Sequence, residues 1–89
     1  MRIEMTETYQ AWQSNLKDLV VRARIQARIS CLAIGNPGHY RVLTDGVSEL
    51  KLDFGSGYRV YYTQRGETLI ILLAGGDKSS QQSDIKTAI

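Results

Sequence analysis

The chain opens on an alternation of period two. In Arg2-Ile3-Glu4-Met5-Thr6 the apolar side chains Ile3 and Met5 fall on one face, the pattern of a short half-buried strand. The period then changes. Trp12, Leu16, Leu19, Val20, Ala23 and Ala27 recur at intervals of three and four and draw a helical stripe. Ile25, Ile29 and Leu32 continue a second apolar edge. Thr6 or Thr8 suits an N-cap, and Asn15 or Asp18 suits a break, because short polar side chains satisfy free backbone groups at helix ends. The spacing predicts helices near 7–16 and 18–33, packed as a hairpin.

Gly35-Asn36-Pro37-Gly38 closes the helical region, since glycine accepts a left-handed cap and proline cannot continue a helix. Strand patterns follow. Arg41-Val42-Leu43-Thr44 is short and ends at an Asp45-Gly46 turn signal. From Val47 to Phe54, Leu50, Leu52 and Phe54 face one way and Glu49, Lys51 and Asp53 the other. After Gly55-Ser56-Gly57, the run from Tyr58 to Arg65 sets Tyr58, Val60 and Tyr62 against Arg59, Tyr61 and Thr63. Leu69-Ile70-Ile71-Leu72-Leu73 is apolar throughout, as in a strand covered on both faces. Gly75-Gly76 closes it, and residues 80–89 read as a short helix docking Ile85 and Ala88 inward. The expected fold is α+β: a two-layer arrangement of an N-terminal strand, a helical hairpin and an antiparallel sheet of three to four strands. The first strand joins the sheet near an edge or pairs with the last strand. Trp12, Tyr58 and Tyr62 are expected in the core, and Cys31 is expected to pack as a small hydrophobe.

Length and composition narrow the class. Eighty-nine residues make one small domain, 1–89. The longest apolar run, Leu69 to Ala74, falls far short of the ~20 residues of a membrane helix. A cytoplasmic protein is expected. The lone Cys31 leaves no internal disulfide, and no cofactor or metal site is anticipated. The net charge is only +2, but its distribution is uneven. Between Asp18 and Asp45 there is no acidic residue, while Arg22, Arg24, Arg28 and Arg41 all lie there. That segment suits a polyanion such as RNA, or an acidic partner; a solvated helix face is the simpler alternative.

The usual catalytic signatures are absent. No glycine-rich phosphate loop occurs, and the single histidine, His39, sits in a turn-rich loop and reads as a residue without catalytic duty. What remains is a polar strip: Glu49, Lys51, Arg59 and Tyr61 on neighbouring strands, with Lys78 after the Gly75-Gly76 break. Strands lie ~4.8 Å apart, so these side chains can converge. Cations beside a carboxylate and a phenol suit phosphodiester cleavage, with the cations stabilising phosphorane charge and Glu49, Lys51 or Tyr61 moving protons. Tyr61 also suits stacking on an unpaired base. Cross-strand ion pairs on a solvated face are the alternative.

These segments in order resemble a known family. Gly35-Asn36-Pro37-Gly38, Gly46-Val47-Ser48-Glu49-Leu50-Lys51, Gly55-Ser56-Gly57-Tyr58-Arg59-Val60-Tyr61-Tyr62 and Gly75-Gly76-Asp77-Lys78-Ser79 are similar to the RelE/ParE superfamily of bacterial toxins, in its HigB-like, phage-derived "addiction module killer" branch. The resemblance implies a type II toxin–antitoxin system with a helix-turn-helix, HigA-like antitoxin, assembling as a toxin–antitoxin heterotetramer. It implies a metal-independent endoribonuclease that cuts mRNA on the ribosome through the 2′-hydroxyl. By position, Lys51, Arg59 and Lys78 match the branch's basic residues, with Tyr61 the nearby phenol and Glu49 beside them. Several members use a C-terminal Tyr or His, and this chain has neither after residue 62. Two alternatives stay open: a ParE-like gyrase inhibitor, and a degenerate non-toxic module that binds the antitoxin.

Overall fold

The computed structural model describes residues 1–89. In chain order the elements are β1 (Arg2–Met5), α1 (Glu7–Ser14), α2 (Leu19–Ala33), β2 (Tyr40–Val42), β3 (Val47–Leu52), β4 (Tyr58–Arg65), β5 (Leu69–Gly76), a 3-10 turn (Lys78–Ser80) and α3 (Gln81–Ala88). Five strands form one mixed sheet in the order β1-β5-β4-β3-β2. β1 runs parallel to β5, at the edge and beside the last strand; all other pairs are antiparallel.

Both caps come from the anticipated residues. Thr6 accepts the Tyr9 amide at 3.1 Å and donates its hydroxyl to the Leu73 carbonyl at 2.7 Å, so one side chain starts α1 and ties it to β5. Asp18 accepts the amides of Val20 and Val21 and starts α2. Asn15 caps the C-terminus of α1, which ends at Ser14 rather than near residue 16.

The buried face of α2 differs from the predicted stripe. Ile25, Ile29 and Leu32 are buried, with Val21 packed beside them, while Leu19 and Val20 are 75% and 64% exposed and Ala23 and Ala27 face solvent. The stripe was counted through residues 15–18, where the chain leaves one helix and restarts at the Asp18 cap. Helical phase does not carry across such a break. Cys31 is exposed, which corrects its expected packing.

The main core lies between the sheet and the first two helices: Tyr9, Ile25, Ile29 and Leu32 meet Leu50, Leu52, Val60, Tyr62, Ile70 and Leu72, with Trp12 and Tyr58 packed against them. A smaller cluster of Val47, Tyr61 and Ala74 lies on the opposite face, covered by Ile85 and Ala88 of α3. Helices therefore occupy both faces, whereas the sequence reading left the second face open. β5 serves both faces through a bulge: Tyr61 pairs with Ala74 and Tyr62 with Leu72, leaving Leu73 between them.

At the end of β5 two glycines face opposite ways. A Cβ on Gly75 would overlap the Trp12 indole of α1, and one on Gly76 would overlap the Asp84 carboxylate of α3. Neither has a positive φ, so space rather than backbone freedom demands glycine here.

Two predictions follow from this packing. Gly75→Ala should cost about 2–3 kcal/mol and lower the thermal midpoint by roughly 10–20 °C. In a Trp12→Ala background the same change should cost under ~1 kcal/mol, which a double-mutant cycle measures. The Tyr9 hydroxyl is buried without a hydrogen-bond partner, and burial pushes its pKa up from 10.0 to about 12. The folded state thus holds this proton more tightly than the unfolded chain. Its contribution to stability is complete below pH 10.0 and is lost as pH rises through about 12. Tyr9→Phe should leave neutral-pH stability equal or raise it by up to ~1 kcal/mol, and make the alkaline decline shallower in urea titrations.

Candidate functional site

The polar strip assembles as the alternation predicts, but in two halves. Strand register sets Glu49 opposite Tyr61 and Lys51 opposite Arg59, with Arg41 on the edge strand opposite Glu49. All five side chains belong to the face away from α1 and α2.

The half toward the middle of the sheet is buried. Glu49 and Tyr61 are fully covered by the C-terminal segment. Gln81 of α3 donates to the Glu49 carboxylate at 2.7 Å, and the Arg41 guanidinium lies 3.3 Å from its other oxygen. The Tyr61 hydroxyl sits beside this carboxylate without a well-formed hydrogen bond. Burial, reinforced by the negative charges of Glu49 and Asp84, raises its pKa well above the ordinary phenol range. Tyr61 is therefore a neutral phenol, and neither it nor Glu49 faces solvent. The expectation that these two groups meet substrate directly is corrected: α3 lies over them.

The half at the β3–β4 hairpin end reaches solvent through Lys51, Asp53 and Lys78, with Arg59 buried beneath them. Arg59 is 7% exposed and donates Nη1 to the Tyr58 carbonyl at 3.2 Å. The Lys78 amide donates to Ser56 in the hairpin turn at 3.3 Å. Gly57 lies between the two cations: a Cβ there would stand 3.3 Å from Lys78 Cβ and 3.8 Å from Arg59 Nη1. Its φ of +78° also calls for glycine. Lys51 completes the set from β3, partly exposed. Asp77 holds the Lys78 turn in place by accepting from the hydroxyl and amide of Ser79, and the Ser79 hydroxyl holds the Asp77 carboxyl below its ordinary pKa. Beyond Lys78 an open hollow of about 640 Å³, lined by no hydrophobic residue, runs along the first turns of the C-terminal segment to Lys86.

The four arginines do not form one RNA-facing surface, which corrects the sequence expectation. Arg28 donates to the carbonyls of Lys51, Pro37 and His39 at 2.8, 3.0 and 3.1 Å, tying α2 to the β2–β3 edge. The Arg24 guanidinium lies over the Phe54 ring, 4.9 Å from its centroid. Arg22 is exposed on α2, across the sheet from the strip. Arg41 alone points to the strip, and it pairs with Glu49.

Sequence reasoning missed a pair at the open end. His39 Nδ1 lies 2.8 Å from Asp53 Oδ2, and the other Asp53 oxygen lies 4.0 Å from Arg59 Nη1. The hydrogen bond from His39, with the charges of His39, Arg59 and Lys51, lowers the Asp53 pKa. The alternation placed Asp53 on the polar face, but nothing local in the sequence pairs it with His39. That contact depends on the β2–β3 register, in which the Lys51 amide donates to the His39 carbonyl at 2.9 Å. No three His, Cys, Asp or Glu side chains gather into a metal-binding set, and no helix is long and apolar enough to cross a membrane.

The family described as phage-derived protein Gp49-like (DUF891) matches residues 11–88. An uncharacterized protein of Haemophilus influenzae is 48% identical over 88 residues, which cover 99% of this chain and 89% of that one. Among solved structures, the E. coli toxin RelE, as a double arginine-to-alanine mutant in the free state, matches with a TM-score of 0.69. The match covers 98% of this chain and 96% of that one at 16% identity, so it establishes a shared fold.

If Gln81 anchors α3 to Glu49, Gln81→Ala should release that helix locally. A hydrogen bond to a charged group is worth about 1.5–2 kcal/mol, so amides of residues 81–88 should exchange roughly 10- to 30-fold faster. Amides of α2 should be unchanged, and hydrogen-exchange mass spectrometry reads both.

Proposed function

The chain belongs to the phage-derived Gp49-like family, and from that premise and its RelE-like fold we propose that it is the toxin of a type II toxin–antitoxin system, acting as a ribosome-dependent mRNA endoribonuclease. The observation that carries this reading is the convergence of Lys51, Arg59 and Lys78 at the open end of the β3–β4 hairpin. Three cations from two strands and the following turn suit a scissile phosphate whose charge grows in the transition state. The polar hollow running on to Lys86 suits the flanking sugar–phosphate chain.

The proposed reaction is a transesterification. The RNA 2′-hydroxyl attacks the neighbouring phosphorus, the bond from phosphorus to the 5′-oxygen breaks, and the products are a 2′,3′-cyclic phosphate and a 5′-hydroxyl. Arg59, held by the Tyr58 carbonyl and flanked by Asp53, is pre-oriented. A fixed cation costs little reorganisation when the phosphorane forms. Lys78 is exposed and fits an outer phosphate oxygen.

The proposed partner is a helix-turn-helix antitoxin. The acid-free stretch carrying Arg22 and Arg24 and the exposed Leu19 and Val20 offer it a mixed basic and apolar surface on α2. A toxin–antitoxin heterotetramer in the cytoplasm is the assembly this reading supports.

Expression without the antitoxin should arrest growth and cut translated mRNAs within codons, as mapped by primer extension. Lys78→Ala should lower cleavage on programmed ribosomes about 10- to 100-fold, with the fold intact because the residue is exposed. Arg59→Gln should lower it about 10²- to 10³-fold, with circular dichroism checking the fold of this buried substitution. Growth arrest with intact transcripts and DNA breaks would instead identify gyrase as the target. Absence of arrest would identify a module that only binds the antitoxin.

A further inference from the structure

We propose that His39, aligned by Asp53, is the general base that takes the proton from the attacking 2′-hydroxyl. This inference rests on the ribonuclease reading above and assigns a role within the same site. The starting point is that neither the carboxylate nor the phenol of the strip reaches solvent. Glu49 and Tyr61, the carboxylate and phenol on this face, are both fully buried beneath α3. At the open end, the side chains of His39 and Asp53 are 58% and 65% exposed, beside Lys51 and Arg59.

Three features make the imidazole suited to the task. First, its ring is oriented. Nδ1 lies 2.8 Å from the Asp53 carboxylate, so the neutral ring carries its proton on Nδ1 and presents the Nε2 lone pair outward. Second, its backbone is held. The His39 carbonyl accepts the Lys51 amide at 2.9 Å and the Arg28 guanidinium at 3.1 Å, which places the residue on the sheet edge rather than in a free loop. Third, Asp53 joins the ring to the phosphate-binding cations, with its second oxygen 4.0 Å from Arg59 Nη1.

The step balances as follows. His39 Nε2 takes the 2′-hydroxyl proton as the oxygen–phosphorus bond forms. The departing 5′-oxygen takes a proton from the Lys78 ammonium, and water restores that proton while the imidazolium releases its own to solvent. Asp53 accepts from Nδ1 throughout and is a positioning residue. Asp53 is the charged group on the ring itself; Lys51 and Arg59 act on that carboxylate from the sheet, and Arg28 of α2 lies on the His39 carbonyl.

The test is single-turnover cleavage by the purified protein on programmed ribosomes, measured from pH 5.5 to 8.5. The variants are His39→Asn, which keeps a donor for Asp53, His39→Gln, and Asp53→Asn. Both histidine variants should lose about 10²-fold or more in rate with ribosome affinity within about threefold of wild type, and should lose the rise in rate with pH that an imidazole base imposes. Asp53→Asn should lower the rate and keep a pH-dependent limb. Both residues replaced are exposed, so thermal midpoints of the three variants should stay within about 3 °C. Wild-type protein that cleaves, with His39→Asn and His39→Gln matching its rate and pH profile, overturns the assignment of His39 alone. Wild-type protein that cleaves no ribosome-bound mRNA overturns the ribonuclease reading and this inference with it.

Discussion

The last two residues of β5 are the constraint on which both layers depend. Gly75 and Gly76 face opposite sides of the sheet, and each gives up its side-chain volume to a helix. The Trp12 indole fills the space at Gly75 and seats α1 against the sheet; the Asp84 carboxylate fills the space at Gly76 and seats α3. Packed interiors tolerate little added volume, so a methyl at Gly75 presses on the Trp12 ring and one at Gly76 on the Asp84 carboxylate and Ser80 hydroxyl. Thr6 reinforces the first contact by donating to the Leu73 carbonyl at the bulge one residue pair earlier. In a domain this small, the end of one strand sets the spacing of both helical layers.

The second of those contacts decides which polar groups are hidden. With α3 seated on Gly76, Gln81 reaches Glu49, and Ile85 and Ala88 close over Tyr61. Glu49 then accepts from Gln81 of α3 on one oxygen, while the other has the charge of Arg41 on the edge strand nearby but no hydrogen bond. Its position is that of an anchor between β2 and α3. The same seat brings Lys78 to the hairpin turn at Gly57, next to Arg59. One packing contact thus removes two candidate groups from solvent and delivers a third to the site.

Much of the architecture was legible along the chain because local rules governed it. Alternation separated Leu50 and Leu52 from Glu49 and Lys51, and Val60 and Tyr62 from Arg59 and Tyr61, and the register kept those faces. Thr6 and Asp18 marked helix starts through their hydroxyl and carboxylate. The α2 stripe failed because it was counted through residues 15–18, and Asp18 restarts the helix in a new phase. The arginines were misjudged for another reason. A guanidinium carries five donors, and three bonds from Arg28 go to carbonyls on Lys51, Pro37 and His39, which no local pattern foretells.

By itself, then, the sequence determined the element order, the two faces of β3 and β4, and the polar identity of the strip, because side-chain period and capping act over a few residues. Tertiary structure alone decided which members of the strip meet solvent. Burial of Glu49 and Tyr61 depends on where α3 lands, and the His39–Asp53 pair depends on the β2–β3 register. Both are contacts between segments far apart in the chain, settled by packing volume and backbone pairing rather than by local preference.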